Sequence, residues 1–399
     1  MSGVPIWEQG RLWLNSLALF RALLEDPAVA AFSDLLDSAD RPLPERVSRL
    51  ARFAALLYQT DANWSRALLN KTLADENLYM TLAGAGEEIP AHLEQALERE
   101  LPLLQKLSRI TPEQLAALIA APFALPRWTT EPLDFSGAYR ERLEHLSQRG
   151  YGVYAEFGMF QMRNGELLPV LHPDPVRLED LTGYEAERGS VLENTTAFLE
   201  GRAAANILLY GDSGTGKSTC VKAVANELRD RGLRLIELKK EQLDQIPLLI
   251  DRLSRNPLKF ILFIDDLSFS GDSGNYAEGK AVLEGSVSAK SSNMVIYATS
   301  NRRHLIAESF SGREGDDVHR RDTIEESSSL SDRFGLVVTF LRPDRELYLS
   351  IARSYCTRFS IPFTPETAQR AEAFALRRGG RSARAARQFA ESLDAREER

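Results

Sequence analysis

The sequence predicts an α/β protein: a mostly parallel sheet with helices on both faces, preceded by a helical N-terminal domain and followed by a helical C-terminal lid. Three observations predict it. From about residue 173 onward, short apolar runs alternate with amphipathic stretches, the pattern of strands joined by crossover helices. One junction, Asn206-Ile-Leu-Leu-Tyr-Gly-Asp-Ser-Gly-Thr-Gly-Lys-Ser-Thr219, sets a glycine-rich loop between an apolar strand and a helix. Two further apolar runs end in polar residues: Lys259-Phe-Ile-Leu-Phe-Ile-Asp-Asp266 and Asn293-Met-Val-Ile-Tyr-Ala-Thr-Ser-Asn301.

Residues 1–121 form the helical domain, with helices expected over 7–24, 29–38, 43–58, 62–82, 90–109 and 111–120. Thr111-Pro112-Glu113 is a start signal, an N-cap followed by proline at the first helical position. Trp13, Trp64 and Tyr79 read as core, and no repeat period is visible. Residues 122–172 form a connector with one helix, 136–148, and a hairpin. The hairpin strands are 151–162 and 166–171, joined at Arg163-Asn-Gly165. Its aromatics either pack against the next domain or stack on bases; packing is the commoner fate.

The α/β core spans 173–342. Its strands are the loop strand, 233–238, 259–266, 293–301 and 336–341. Its helices are 187–199, the one after the glycine loop, 246–253 and 276–288, with a polar span at 308–329. Residues 343–399 form the lid, helices only, broken at Ile361-Pro-Phe-Thr-Pro365.

Composition bounds the function. A chain of 399 residues supports two or three domains and a large core. Hydrophobic content of 43% with 27% charged residues is that of a globular protein. A net charge of −8 gives no global field toward nucleic acid or anionic membrane, a local patch excepted. Cys220 and Cys356 match no metal spacing and read as reduced thiols. The five histidines form no zinc pattern. With no basic-then-apolar leader and no apolar run near 18 residues, the expectation is a cytoplasmic protein with no membrane span.

The loop reads Gly211, Asp212, Ser213, Gly214, Thr215, Gly216, Lys217, Ser218, Thr219 and satisfies G-x-x-x-x-G-K-[ST]. Its glycines let backbone N–H groups curl around phosphate oxygens, and the helix N-terminus adds partial positive charge. Lys217 would reach the β- and γ-phosphates, and the Ser218 hydroxyl would ligate Mg²⁺. In open α/β sheets ligands lie beyond the carboxyl ends of the strands, which brings Asp265, Asp266 and Asn301 to the same edge. An acid at an apolar strand tip is costly unless a cation needs it. Asp265 would hold the metal, Asp266 would serve as general base and Asn301 would position water. A guanosine-specific N-K-x-D is absent after the strand that ends at Asp266, so ATP is the expected nucleotide.

These pieces, with Ser331-Asp-Arg-Phe-Gly335 and Gly379-Gly-Arg-Ser-Ala-Arg384, resemble AAA+ ATPases over roughly 150–399. Phe263-Ile-Asp-Asp-Leu-Ser-Phe269 with Ala298-Thr-Ser-Asn-Arg-Arg-His304 looks most like an uncharacterised bacterial AAA+ family. The resemblance implies a Walker A loop at Lys217 and Ser218 and a Walker B metal residue at Asp265. Asp266 stands where most such proteins carry glutamate. Asn301 becomes sensor 1, Arg333 the arginine finger, and Arg384 the lid sensor, with Arg381 as the other candidate. Gly183-Tyr184 falls where adenine is held. A trans-acting finger implies a homo-oligomer, a hexamer in many relatives, assembled with ATP.

The function expected is Mg²⁺-dependent ATP hydrolysis that drives or switches a partner complex, the partner meeting the helical N-terminal domain. One alternative is a slow or non-hydrolysing ATP-dependent loader for a nucleic-acid enzyme. Another is a P-loop small-molecule kinase. The many arginines of the tail read as a solvated helix face, since acids alternate with them. No pore-loop aromatic motif is clear after Asp266.

Overall fold

The computed structural model describes residues 3–267, 269–270, 292–301, 306–307 and 334–397. They divide into two units: Met1–Glu156 with Arg255–Pro257, and Phe157–Ser254 with Leu258–Arg399. The expected helix 276–288 and the polar span 308–329 lie outside the described residues.

The first unit is helical: α1 (Ile6–Asn15), α2 (Pro27–Leu36), α3 (Leu43–Leu57), α4 (Trp64–Ala74), α5 (Leu78–Ala85), α6 (Ala91–Leu107), α7 (Pro112–Ile119), α8 (Phe135–Glu144), α9 (Leu146–Arg149) and α10 (Val153–Glu156). Its centre is aromatic. Trp64 lies 4.7 Å from Phe32 and 5.1 Å from Phe53, and Trp128 packs edge-on against Phe53 at 5.0 Å. The indole N–H groups of Trp64 and Trp128 donate to the carbonyls of Leu107 and Ile110. The Thr111 start signal is a complete capping box, with Gln114 returning the hydrogen bond.

Three predicted helices are each broken in two. The stretch 7–24 stops at Asn15 and resumes as a 3₁₀ turn, Arg21–Glu25. The Glu100 carboxylate explains the break, because it takes the amides of Ala18, Leu19 and Phe20 that a continuous helix would spend internally. The stretch 62–82 splits at Asp75-Glu-Asn77, where the Asn77 side chain caps α5 by accepting from the Met80 amide. The helix expected over 136–148 is likewise α8 followed by α9.

Asp75 is 9% exposed, and burial pushes its carboxyl up to about 6, with Glu76 adding to the rise and the Asn77 amide opposing it. A carboxyl that holds its proton more tightly folded than unfolded contributes stability at low pH. That contribution is lost as pH rises from about 4 to about 6. Asp75→Asn is therefore expected to gain roughly 2–3 kcal/mol on the wild type between pH 4 and pH 7.5. All four tryptophans lie in this unit, so urea unfolding followed by their fluorescence reads it directly. A pH-independent difference between the two proteins would refute the assignment.

The second unit carries a seven-stranded sheet in the order β2-β1-β4-β5-β7-β3-β9. The strands are β1 (Met159–Arg163), β2 (Glu166–Pro169), β3 (Ile207–Gly211), β4 (Leu233–Leu238), β5 (Lys259–Ile264), β7 (Met294–Ser300) and β9 (Leu336–Phe340). Two short strands, β6 (Phe269–Ser270) and β8 (Ile306–Ala307), pair separately. All neighbours in the large sheet are parallel except β1 and β2. The inner strands are buried and read as unbroken apolar runs, as both-face coverage requires.

The hairpin differs from expectation. Tyr151 and Tyr154 belong to the turn and short helix before β1, and the strand begins only at Met159. Tyr151, Tyr154 and Phe160 are all buried, which leaves these aromatics no face for a base. β1 adds to the sheet beside β4, so the stretch 122–172 is shared between the two units.

Helices α11 (Glu185–Leu199), α12 (Lys217–Glu227) and α13 (Ile246–Leu253) belong to the core, and α14 (Arg345–Arg358), α15 (Pro365–Arg377) and α16 (Ala383–Glu397) form the tail bundle. Tyr348, Ile351, Ala371, Phe389 and Cys356 fill the tail's own apolar centre. Cys220 is buried under the sheet, and burial pushes its thiol up to about 12, so it packs as an inert apolar group. Among the described residues no helix is long and apolar enough to cross a membrane.

Candidate functional site

β3 runs into the glycine loop, and α12 begins at Lys217. Gly211 sits at φ 140°, and any Cβ there would clash with the Phe340 carbonyl, so glycine is obligatory at this joint. Gly214 sits at φ 77°, and its carbonyl accepts the Arg384 amide at 3.0 Å. The first turn of α16 thus rests on the loop.

Lys217 is 6% exposed. Its ammonium donates to the carbonyls of Gly211 (2.9 Å) and Asp212 (2.8 Å) and to Asn301 Oδ1 (3.0 Å). Burial lowers its pKa, and Arg384 acts in the same direction, while Asp212, Asp265 and Asp266 oppose them. The loop is also tied at Asp212, whose carboxylate accepts the Arg342 amide at 3.0 Å. The Thr215 hydroxyl donates to the Asp212 carbonyl at 2.9 Å.

The acids meet the loop at one point. Ser218 Oγ donates to Asp265 Oδ1 at 2.6 Å. Thr299 Oγ1, from β7, donates to the same oxygen at 2.6 Å and accepts the Asp266 amide at 2.9 Å. Asp266 is left-handed at φ 54°, a conformation that aspartate tolerates better than most residues. Its Oδ1 accepts Asn301 Nδ2 at 2.9 Å. Asn301 therefore bridges Lys217 and Asp266, and the lysine on one side and the carboxylate on the other set which end of its amide faces which.

Hard oxygen donors suit Mg²⁺, which prefers one or two carboxylates together with phosphate oxygens. Ser218 and Asp265 set a hydroxyl and a carboxylate side by side at the end of the glycine loop, so the residues present fit the ion. Asp265 and Asp266 also border a hollow of about 700 Å³ over the ends of β1 and β4, with Arg163, Lys239 and Lys240 on its walls. Both acids are exposed and reachable by water.

The remaining expected residues fall as follows. Tyr184 is half-buried and left-handed, with its ring 5.2 Å from Phe340 and its hydroxyl donating to the Leu341 carbonyl at 2.6 Å. It lines a groove of about 520 Å³ with Glu187, Leu341, Arg342 and Leu347. Arg384 reaches the loop through its amide and acts electrostatically on Lys217. Arg381 is held by Glu372 at 3.3 Å, the carboxylate that also binds Arg345. Ser213 is exposed, and Thr219 follows Ser218 in the first turn of α12. Arg333 lies outside the described residues. Sequence reasoning passed over Thr299 and Arg342. Strand alternation is the signal for the first, since Thr299 and Asn301 are two residues apart and share a face.

Fold and site together define an α/β core, its sheet mostly parallel, with a glycine-rich loop motif between β3 and α12. The chain belongs to the family described as protein of unknown function, DUF815, whose model matches residues 154–397. Among solved structures it is similar to the Thermotoga maritima RuvB Holliday junction branch migration motor, at 16% identity and a TM-score of 0.37. That alignment covers 54% of this chain and 63% of the other. A mutant form of the same Thermotoga maritima motor aligns over the same shares at 17% identity and the same TM-score. The chain thus spans under two thirds of the structures it matches. No curated protein matches it.

Proposed function

We propose that this protein binds ATP with Mg²⁺ and hydrolyses it, and that the nucleotide state switches a partner complex held by the helical N-terminal region. The observation that carries the reading is the 2.6 Å contact between Ser218 and Asp265, because it joins a phosphate-cradling loop to an acid strand tip. In this reading the loop amides and Lys217 hold the phosphates, and Ser218 and Asp265 hold the metal, which neutralises phosphate charge. Asp266 takes the proton of the attacking water, with Asn301 orienting that water. Tyr184 and its groove receive adenine, and Arg384 brings lid charge to the phosphates. Arg333 acts as a finger in a neighbouring copy, which makes the working form a homo-oligomer, a hexamer by analogy. The cell interior is the compartment this reading assumes.

Calorimetric titration with Mg·ATP tests binding, and phosphate release tests turnover. Asp266→Asn is expected to keep the binding heat and to lose about 100-fold or more in turnover. A folded wild-type sample without heat would end the reading. A second reading, a nucleotide switch with little hydrolysis, is favoured by one observation: Asp266 is a short acid whose Oδ1 is already engaged by Asn301. Equal background turnover in wild type and Asp266→Asn would select it.

A further inference from the structure

We infer that Thr299 is a positioning residue for the magnesium ion of the nucleotide, acting through Asp265 and Asp266; the inference rests on the nucleotide reading above. Thr299 is 2% exposed, near the end of β7. β5 and β7 are parallel neighbours, with Ile264 opposite Ala298, so Thr299 stands level with the first residue beyond β5. Three consecutive residues of that segment end on it. Asp265 Oδ1 accepts its hydroxyl proton at 2.6 Å, the Asp266 amide donates to its hydroxyl oxygen at 2.9 Å, and the Leu267 amide donates to its carbonyl at 2.7 Å.

The chemistry needs a hydroxyl. One atom must donate to a carboxylate and accept from an amide at once, which threonine and serine can do and valine cannot. Asp265 Oδ1 then receives two hydroxyl protons, from Ser218 and from Thr299. Among the described residues Oδ2 makes no protein hydrogen bond, so the pair of donors on Oδ1 leaves the other oxygen available to a cation. The same hydroxyl satisfies the amide of Asp266, whose backbone is left-handed at φ 54°. Thr299 so couples the rotamer of the metal-holding acid to the backbone that aims the second acid at Asn301.

The test uses Thr299→Val, which keeps the shape and removes the hydroxyl, beside Thr299→Ser, which keeps the hydroxyl. ATP binding is followed by calorimetry on the full chain, first in EDTA and then at increasing Mg²⁺. Loss of a hydroxyl–carboxylate bond is expected to raise the Mg²⁺ needed for half-maximal enhancement about tenfold in Thr299→Val. Thr299→Ser should match wild type, and affinity in EDTA should be the same in all three. Equal Mg²⁺ dependence in Thr299→Val and wild type overturns the inference. So does loss of EDTA binding in Thr299→Val, or a serine variant as impaired as the valine one. A wild type that binds ATP without any Mg²⁺ enhancement overturns the metal-site reading and this inference with it.

Discussion

Lys217→Met is expected to weaken Mg·ATP binding by at least about 100-fold while leaving the fold intact. The ammonium sits among carbonyls rather than carboxylates: Gly211 O, Asp212 O and Asn301 Oδ1 are its three partners. Those contacts hold a charge that burial disfavours, as its lowered pKa records. A triphosphate offers the same ammonium full negative charge, and charge-assisted bonds are roughly twice as strong as neutral ones. The methionine side chain fills a similar volume and removes a desolvation penalty. It also leaves the Gly211 and Asp212 carbonyls and Asn301 Oδ1 without their donor, so the thermal midpoint should fall modestly while affinity collapses. Calorimetry with Mg·ATP and a melting curve on the same preparation check both halves. Retained affinity would place the phosphates away from this lysine.

Glu100→Ala is expected to destabilise the helical unit by about 3–5 kcal/mol. The Glu100 side chain is 0% exposed. Its oxygens accept the amides of Ala18 (3.0 Å), Leu19 (3.0 Å) and Phe20 (3.1 Å) and pair with Arg99 at 2.7 Å. Alanine would leave three amides without their acceptor at the turn between α1 and Arg21–Glu25. Glu100→Gln retains acceptor capacity on one atom and should lose a smaller amount. Urea unfolding by tryptophan fluorescence gives the ordering wild type, glutamine, alanine. A loss below about 1 kcal/mol in the alanine variant would mean that water replaces the carboxylate at those amides.

Much of the candidate site was legible because its signals are local. Gly211, Lys217 and Ser218 sit within one loop, and Asp265 and Asn301 each end an apolar run, so periodicity and spacing suffice to point at them. The helix breaks at 16–20 and 75–77 were not legible. Apolar spacing continues through both, and what interrupts them is a carboxylate about 80 positions away in one case and a side-chain cap in the other. The hairpin's place in the sheet was equally hidden, since the pairing of Phe160 with Ile236 is a long-range choice.

The same division holds at the chemistry. The sequence alone determined which residue types stand at the strand tips and in the glycine loop, because those are properties of contiguous chain. Only the tertiary structure decided that β7 lies between β3 and β5. That order lets one strand reach both partners: Asn301 meets Lys217 and Asp266, and Thr299 meets both acids. The physical reason is that strand order is set by burial of whole faces against helices, a sum over the sheet that no local pattern encodes.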